Sequence, residues 1–265
     1  MQEVEIKECQ KYLLNLAIQF DKICRENKIP YYMLGGTMLG AVRHKGFIPW
    51  DDDMDFGVPR EYFPQMLELL KENLPDYIRI NTIDNSGMIF GFIKLDDSRT
   101  VIKEKFKEND TNYWGINIDI FPLDKISNSN THIFSDNWII DKIIKIQNYL
   151  FLSYSDRPFS KRQLAKIVQM LNPSTKFAII NYVEKKIAKL SKGKANYIAN
   201  FYGSWGMKET VKMDVFDAPA LYKFENIELY GVKKQDEYLK SLYNDYMKLP
   251  PESDRYAHST DFFIK

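Results

Sequence analysis

Four aspartates fall within five positions near residue 50, immediately ahead of an apolar run. They are Asp51, Asp52, Asp53 and Asp55. Residues two apart on a strand point the same way, so Asp53 and Asp55 are predicted to face one side, with Asp51 in the preceding loop. Clustered carboxylates repel one another, and two on one side can share a hard divalent cation such as Mg²⁺. The segment therefore predicts a metal site at the start of a strand.

Two other interpretations of this acidic segment are weaker. A solvated acidic turn is disfavoured because its flanks, residues 48–50 and 54–58, are apolar and would bury their surroundings. A calcium-binding EF-hand loop starting at Asp51 would need Gly at its sixth position and Glu at its twelfth. Phe56 and Tyr62 occupy those positions, which excludes the EF-hand.

The spacing of apolar residues predicts an α/β chain. An amphipathic helix is expected from about residue 6 to 27, and further helices over 38–44, after Pro59, and over about 131–152, 161–171, 175–191 and 235–244. Strands are expected over 31–34, 54–58, 77–80, 88–95, 100–106 and 115–121. We expect an α/β catalytic core in residues 1–127. A mainly helical part in residues 128–265 would complete the substrate site, and the two would form one compact unit.

A third metal ligand is expected from a neighbouring strand. Asp119 is a lone carboxylate in the apolar stretch 116–121, although Asn117 would equally suit an edge strand with its polar face in water. Two carboxylates followed by a third on a later strand are typical of Mg²⁺ sites for phosphoryl transfer. The turn Gly35-Gly36-Thr37 leads into a helix that Thr37 can cap, and its backbone N–H groups can receive a phosphate.

Basic residues follow that helix. Arg43, His44 and Lys45 are candidates to bind phosphate oxygens, and a basic helix C-terminus that complements the helix dipole is an equally weighted alternative. Lys94 is a further phosphate candidate, with a solvated strand end as the alternative.

The overall charge and the cysteines exclude some classes of partner and compartment. Lys and Arg number 37 against 36 Asp and Glu, so no basic field favours nucleic acid. Cys9 and Cys24 fall in one predicted helix about 22 Å apart, too far for a disulfide. No signal peptide and no membrane-spanning segment is evident, so we expect a cytoplasmic protein.

Residues 37–55, which read TMLGAVRHKGFIPWDDDMD, resemble the signature of the LicD/fukutin family of phosphotransferases. Two later blocks, IDIFPLD at 118–124 and DYMKLPP at 245–251, resemble that family in the same order. Met38 stands where the family commonly has Leu, and Asn244 stands where Gly is frequent.

The resemblance implies a nucleotidyltransferase-like mixed sheet flanked by helices. It implies Mg²⁺ (or Mn²⁺) on Asp53 and Asp55, with Asp119 completing the site as ligand or as general base; Asp51, in the preceding loop, is a further candidate ligand. It also implies transfer of phosphocholine from CDP-choline to a sugar hydroxyl of a surface glycan such as lipopolysaccharide, or of a teichoic acid precursor. The acceptor can be lipid-linked, which allows peripheral contact at the inner face of the membrane.

Several alternatives stay open at this point. The chain can be a nucleotidyltransferase that releases pyrophosphate, or a transferase of CDP-ethanolamine, CDP-glycerol or CDP-ribitol. A degenerate binding module is disfavoured by the intact aspartates. A choline group would need aromatic walls, for which the candidates are Trp50, Trp114, Tyr202 and Trp205, although each can be a core residue.

Overall fold

The computed structural model describes residues 2–82, 91–104, 114–127, 136–147, 162–164, 166–167, 170–190, 194–257 and 259–265. In the N-terminal half the elements are β1 (Gln2–Val4), α1 (Ile6–Glu26), β2 (Tyr32–Met33), α2 (Gly35–Arg43), β3 (Asp55–Pro59), α3 (Phe63–Asn73), β4 (Ile78–Asn81), β5 (Ile93–Asp97), β6 (Thr100–Glu104) and β7 (Asn117–Ile126). They are followed by α4 (Asp136–Gln147), α5 (Pro173–Leu190), β8 (Tyr197–Ala199), β9 (Thr210–Lys212), β10 (Ala220–Phe224), β11 (Ile227–Gly231), α6 (Gln235–Tyr243) and β12 (Ser259–Ile264). The expected α/β fold class is confirmed.

The main sheet has the strand order β10-β11-β2-β3-β7-β5-β4. It is mixed, because β3 pairs parallel with β7 and β11 parallel with β2, whereas the other pairs along this order are antiparallel. A smaller sheet joins β1, β12 and β6. Strands from both halves of the sequence therefore share one sheet, with β3 and β7 near its centre.

The core lies between α1 and the main sheet. Apolar residues of α1 recur at steps of three and four, which gives the helix one buried face. Phe20 on that face contacts Tyr31 and Phe56, with ring centroids 5.1 Å apart in each case. This packing buries the side of β3 that faces α1. The strand begins next to the polar residues that precede it in the sequence.

The helices α4 and α5 pack against each other. Ile140 and Ile144 of α4 are buried, as are Val183 and Ile187 of α5. No helix among the described residues is long and apolar enough to cross a membrane. The remainder of the predicted helices 131–152 and 161–171, and the first part of the predicted strand 88–95, lies largely outside the described residues.

A partly buried ionic network joins the ends of β3 and β7. Arg60, directly after β3, donates from Nη2 to Oδ2 of Asp124 at 2.9 Å and from Nε to Oδ1 of the same carboxylate. It also donates from Nη1 to Oε2 of Glu184 on α5 at 2.9 Å, and the Tyr202 hydroxyl donates to the other oxygen of Glu184. Asp124 is fully buried. We call these four residues the Arg60 network; it ties α5 to the two central strands.

Candidate active site

Asp55 and Asp119 lie side by side on neighbouring strands. The parallel register of β3 and β7 pairs them directly. The backbone N–H of Asp119 donates to the carbonyl oxygen of Met54 at 2.9 Å, which fixes this register where β3 begins. Directly paired residues of adjacent strands project from one face of a sheet, so the two carboxylates share a face. Asp51 and Asp53 lie in the segment just before β3, which begins at Asp55.

The N-terminus of α2 approaches these carboxylates closely. At Gly35, which has a φ of +48°, a β-carbon would lie 3.3 Å from Oδ2 of Asp55. At Gly36 a β-carbon would lie 2.9 Å from Oδ2 of Asp51, closer than real side chains allow. The double glycine therefore lets the positive end of a helix lie against two acidic side chains, which stabilises their negative charge.

The prediction that Thr37 caps this helix was wrong. α2 already begins at Gly35, and Leu34 precedes it without a side-chain cap. Thr37 lies in the first turn, where its buried Oγ1 accepts a hydrogen bond from the backbone N–H of Asp55 at 2.8 Å. The hydroxyl is satisfied by the strand that follows in sequence rather than by its own helix, so it positions Asp55.

Burial and neighbouring charges raise the proton affinity of Asp55. The pKa of Asp55 lies well above its ordinary value, first because the group is buried and then because of neighbouring charges. In decreasing order these are Asp53, Asp119, Glu209 and Asp51. A carboxylate group of this kind is costly without a compensating positive charge.

Lys94 supplies part of that positive charge. β5 pairs with β7 on the side away from β3, and its register places Lys94 opposite Asp119. The Nζ atom lies 2.5 Å from Oδ1 of Asp119 and 2.9 Å from Oδ1 of Asn117. The structure thus brings Lys94 into the site, as a partner of the predicted ligand.

Within the part of the chain that the structure describes, no three His, Cys, Asp or Glu side chains already form a metal cage. Magnesium, however, is usually held by one or two carboxylates together with substrate phosphates and water. Asp55 and Asp119 offer hard oxygen ligands on one face, surrounded by excess negative charge. The donor chemistry therefore fits Mg²⁺.

Two tyrosines of α6 form the wall opposite Asp55. The Tyr238 hydroxyl accepts a hydrogen bond from the backbone N–H of Gly35 at 3.1 Å. The Tyr243 hydroxyl lies 3.8 Å from the point where a β-carbon of Gly35 would stand. Trp205, which is 43% exposed, packs edge-on against Tyr243 with ring centroids 4.9 Å apart. Sequence reasoning missed both tyrosines, although they directly precede the third family block.

A buried carboxylate organises the loop that carries Trp205. Glu209 accepts hydrogen bonds from the backbone N–H of Trp205 at 3.0 Å and from Nδ2 of Asn200 at 2.7 Å. Burial raises the pKa of Glu209 to about 7. Such a value would suit a general base, but both oxygens are engaged by this loop. Glu209 therefore positions Trp205.

The basic triplet divides into two parts. Arg43 donates from Nη1 to the carbonyl oxygen of Tyr246 at 2.9 Å and from Nε to Nε2 of His44 at 3.0 Å. Burial lowers the pKa of both groups. Lys45 has a φ of +62° and donates from Nζ to the carbonyl oxygen of Val42 at 3.1 Å. Lys45 thus bonds to the C-terminus of α2, whereas Arg43 contacts the third block and His44 contacts Arg43 and Trp50.

The other aromatic candidates are distributed around the protein. Tyr202 is buried in the Arg60 network, and Trp114 is a partly buried residue packed on the core. Trp50 makes an edge-on contact with His44, with ring centroids 6.4 Å apart, beside Asp51. Trp50 and Trp205 are thus the candidates whose contacts place them near the carboxylates.

This arrangement of a mixed sheet, paired strand carboxylates and a helix N-terminus matches a nucleotidyltransferase-type domain. A family model described as LicD/FKTN/FKRP, nucleotidyltransferase domain, matches residues 28–166, just over half of the chain. The chain therefore belongs to the LicD/FKTN/FKRP family and is a phosphotransferase.

The chain is also similar to individual proteins. The lipopolysaccharide cholinephosphotransferase LicD of Haemophilus influenzae is 27% identical over 267 residues, covering 97% of each chain. An uncharacterized protein of Rickettsia typhi is 34% identical over 130 residues, which are 46% of this chain and 41% of that protein. Among solved structures, the antibiotic-resistance factor ANT(2'')-Ia is 13% identical, with a TM-score of 0.29 over 68% of this chain and 96% of that one.

Proposed function

We propose that this chain transfers phosphocholine from CDP-choline to a sugar hydroxyl of a cell-surface glycan precursor, in a reaction that depends on Mg²⁺. The name of the Haemophilus influenzae relative, which aligns over 97% of both chains, supports the transferred group and the kind of acceptor. The structural observation that carries the proposal is the register that pairs Asp55 with Asp119, with Lys94 on the far side of Asp119. Carboxylates so placed can hold the cation that a diphosphate needs, and the lysine can contact a phosphate oxygen directly.

Asp55 and Asp119 would hold the metal ion (Mg²⁺, or Mn²⁺ as an alternative), with Asp51 and Asp53 beside them. When bound, the ion neutralises the charge of the diphosphate and of the departing nucleotide. The residues of the chain do the remaining work. Thr37 fixes the backbone at Asp55, and the ammonium of Lys94 can be shared between Asp119 and a phosphoryl oxygen.

The acceptor hydroxyl must lose its proton as it attacks phosphorus. Asp119 is our candidate base. Its Oδ1 is held by Lys94, so Oδ2 is the atom that we assign to the proton, and in this role Asp55 would hold the metal ion together with Asp51 and Asp53. If Asp119 serves only as a ligand, the proton leaves to solvent and the geometry of the site is otherwise unchanged.

The choline headgroup is proposed to lie against Trp205. A trimethylammonium group has no N–H donors, so it is recognised by aromatic faces. The Trp205 ring already has a cation near it, since Nζ of Lys208 lies 5.4 Å from the ring centroid. Through Tyr243, the same ring is one side chain away from Asp55. Choline would replace the lysine at this ring.

Calorimetric titration of CDP-choline, CDP-ethanolamine and CMP into the wild type and Trp205→Leu tests this wall. Loss of one ring contact should weaken CDP-choline binding by several-fold to about thirty-fold and leave CMP nearly unchanged. Tyr182→Leu is the matched control, because Tyr182 is a half-exposed ring on α5 with Lys186 Nζ 5.8 Å from its centroid.

The products separate the alternatives. Release of CMP from CDP-choline supports the proposal, whereas release of pyrophosphate from CTP would support a nucleotidyltransferase instead. If CDP-ethanolamine or CDP-glycerol binds the wild type as tightly as CDP-choline, the choline assignment is wrong and the transferase class survives.

A further inference from the structure

Four side chains form a closed circuit of contacts on the α2 side of the site. Arg43 bonds to His44, His44 contacts the Trp50 ring, and the guanidinium of Arg255 lies 5.4 Å from the centroid of the same ring. Arg255 donates from Nε to the carbonyl oxygen of Pro250 at 2.9 Å, and the segment ending there returns to Arg43 through the Tyr246 carbonyl. We call Arg43, His44, Trp50 and Arg255 the Arg43–Arg255 cluster.

The two arginines of the Arg43–Arg255 cluster differ from other arginines in their hydrogen-bond partners. Four arginines are each hydrogen-bonded to a carboxylate: Arg25 to Asp21, Arg60 to Asp124, Arg79 to Asp96 and Arg99 to Asp97. Arg43 and Arg255 donate instead to backbone carbonyls and to His44. Among the residues that the structure describes, neither forms an ion pair with a carboxylate. Guanidinium groups that are not neutralised locally are the protein groups best suited to bind phosphate.

Electrostatics points the same way. The pKa of Arg43 is lowered by burial and then by the nearby positive charge of Arg255, whereas Tyr243 and Asp51 oppose this shift. Two cations held near each other in a partly buried place destabilise the protein unless an anion joins them. Their hydrogen bonds to a carbonyl segment fix both side chains, so the arrangement is built before any ligand arrives.

We propose that Arg43 and Arg255 form a clamp for the nucleoside-side phosphate of the donor, the phosphate that leaves with CMP. The terminal nitrogens of Arg255 and Nη2 of Arg43 supply the donors. This inference rests on the proposed function for the identity of the nucleotide. It adds Arg255 as a substrate-binding residue, and it gives the diphosphate two separate cationic contacts, with Lys94 on the β5 side and the clamp on the α2 side.

The contacts of Asp119 and of Arg43 distinguish the positions of the two phosphates. The transferred phosphate must lie near Asp119, our candidate base, and Lys94 is bonded to Asp119. Arg43 ends α2, whose first turn lies against Asp51 and Asp55, and the negative charge of Asp51 acts on its guanidinium. Trp50 precedes Asp51 in the chain, so the clamp lies beside the acidic segment and can receive the second phosphate.

Equilibrium titrations with CMP, cytidine and inorganic pyrophosphate, in buffer containing Mg²⁺, test the clamp in Arg255→Met. Losing a charge-assisted contact should weaken CMP binding by about ten- to a hundred-fold and leave cytidine, which has no phosphate, unchanged. Arg255→Lys keeps the positive charge but lacks the planar guanidinium. Its CMP affinity should lie between those of the wild type and Arg255→Met. Arg25→Met is the matched control, because Arg25 also stacks on a ring, Tyr230, at 4.5 Å but is paired with Asp21.

A purely structural role for Arg255 would give a different pattern. If Arg255 only pins the loop at Pro250, cytidine and CMP affinities fall together, and the clamp is refuted. A CMP affinity within two-fold of the wild type refutes it as well. The pyrophosphate titration distinguishes this failure from failure of the proposed donor. If the wild type binds pyrophosphate but not CMP, and Arg255→Met binds pyrophosphate more weakly than the wild type does, the clamp is supported and the cytidine donor is wrong.

Discussion

Replacing Arg60 should destabilise the fold much more than replacing its partner Asp124 in the Arg60 network. Asp124 is fully buried and receives two hydrogen bonds from Arg60, whereas the Arg60 side chain is 27% exposed and also bonds to Glu184. Arg60→Met would remove the countercharge from a buried carboxylate, which costs about 3–5 kcal/mol. Asp124→Asn would leave Arg60 paired with Glu184 and partly hydrated, at a cost of about 1–2 kcal/mol. The double variant should cost less than the sum by about 1–3 kcal/mol, because the two groups are directly coupled.

Urea unfolding at pH 7, followed by tryptophan fluorescence, measures these free energies. Lys233→Met is a suitable control, since it breaks a surface ion pair with Asp217 whose side chains are 51% and 61% exposed. Such a pair contributes about 0–1 kcal/mol. The reasoning fails if Asp124→Asn costs as much as Arg60→Met, or if the two effects are additive. Either result would mean that desolvation of Asp124 does not dominate the network.

Two further predictions concern the carboxylates of the site. Asp53→Asn and Asp55→Asn should each lower turnover by about a hundred-fold or more. Neither should lower the stability of the metal-free protein, because each removes one of several repelling charges. Near-full turnover in excess EDTA would contradict the metal assignment, and Asp217→Asn, at an exposed position, is the control. Burial raises the pKa of Glu209 from 4.5 to about 7. Between these pH values the Glu209 carboxyl is protonated in the folded state and ionised in the unfolded state. Its contribution to the free energy of unfolding is therefore fully present below pH 4.5 and is lost as the pH rises through 7. Glu209→Gln should therefore gain about 3 kcal/mol relative to wild type between pH 4.5 and 8 in urea unfolding, and a pH-independent difference would show that Glu209 is not buried as a neutral acid.

Periodicity predicted the elements that depend on burial. The helix expected over residues 6–27 occupies Ile6–Glu26, and the strand expected over 54–58 is Asp55–Pro59. Both have one face against the core, so apolar spacing determines them. The start of α2 was misplaced because glycine has low helix propensity and threonine favours caps. At Gly35 and Gly36, close contact with the aspartates outweighed that propensity.

Sequence reasoning proposed several members of the candidate site but not their contacts. The density of aspartates and the lone Asp119 identified the carboxylates, but the register that pairs Asp55 with Asp119 depends on the order of strands in the sheet. The pairing of Lys94 with Asp119 depends on the same order, on the opposite side of β7. Local patterns carry no information on which strands are neighbours, so these contacts could not be derived from the sequence.

The residues that sequence reasoning missed share an origin in the last quarter of the chain. Tyr238 bonds to Gly35, Tyr246 receives Arg43, and Glu209 holds the loop of Trp205. All of them lie beyond the matched family region, residues 28–166, whereas the aspartates and Lys94 lie within it. The matched region therefore contains the groups that we propose to hold the metal and the transferred phosphate. The groups that we assign to the headgroup and to the leaving nucleotide come largely from outside it. On this division, relatives with different alcohol donors should differ more in the segment that corresponds to residues 200–255 than in the aspartates.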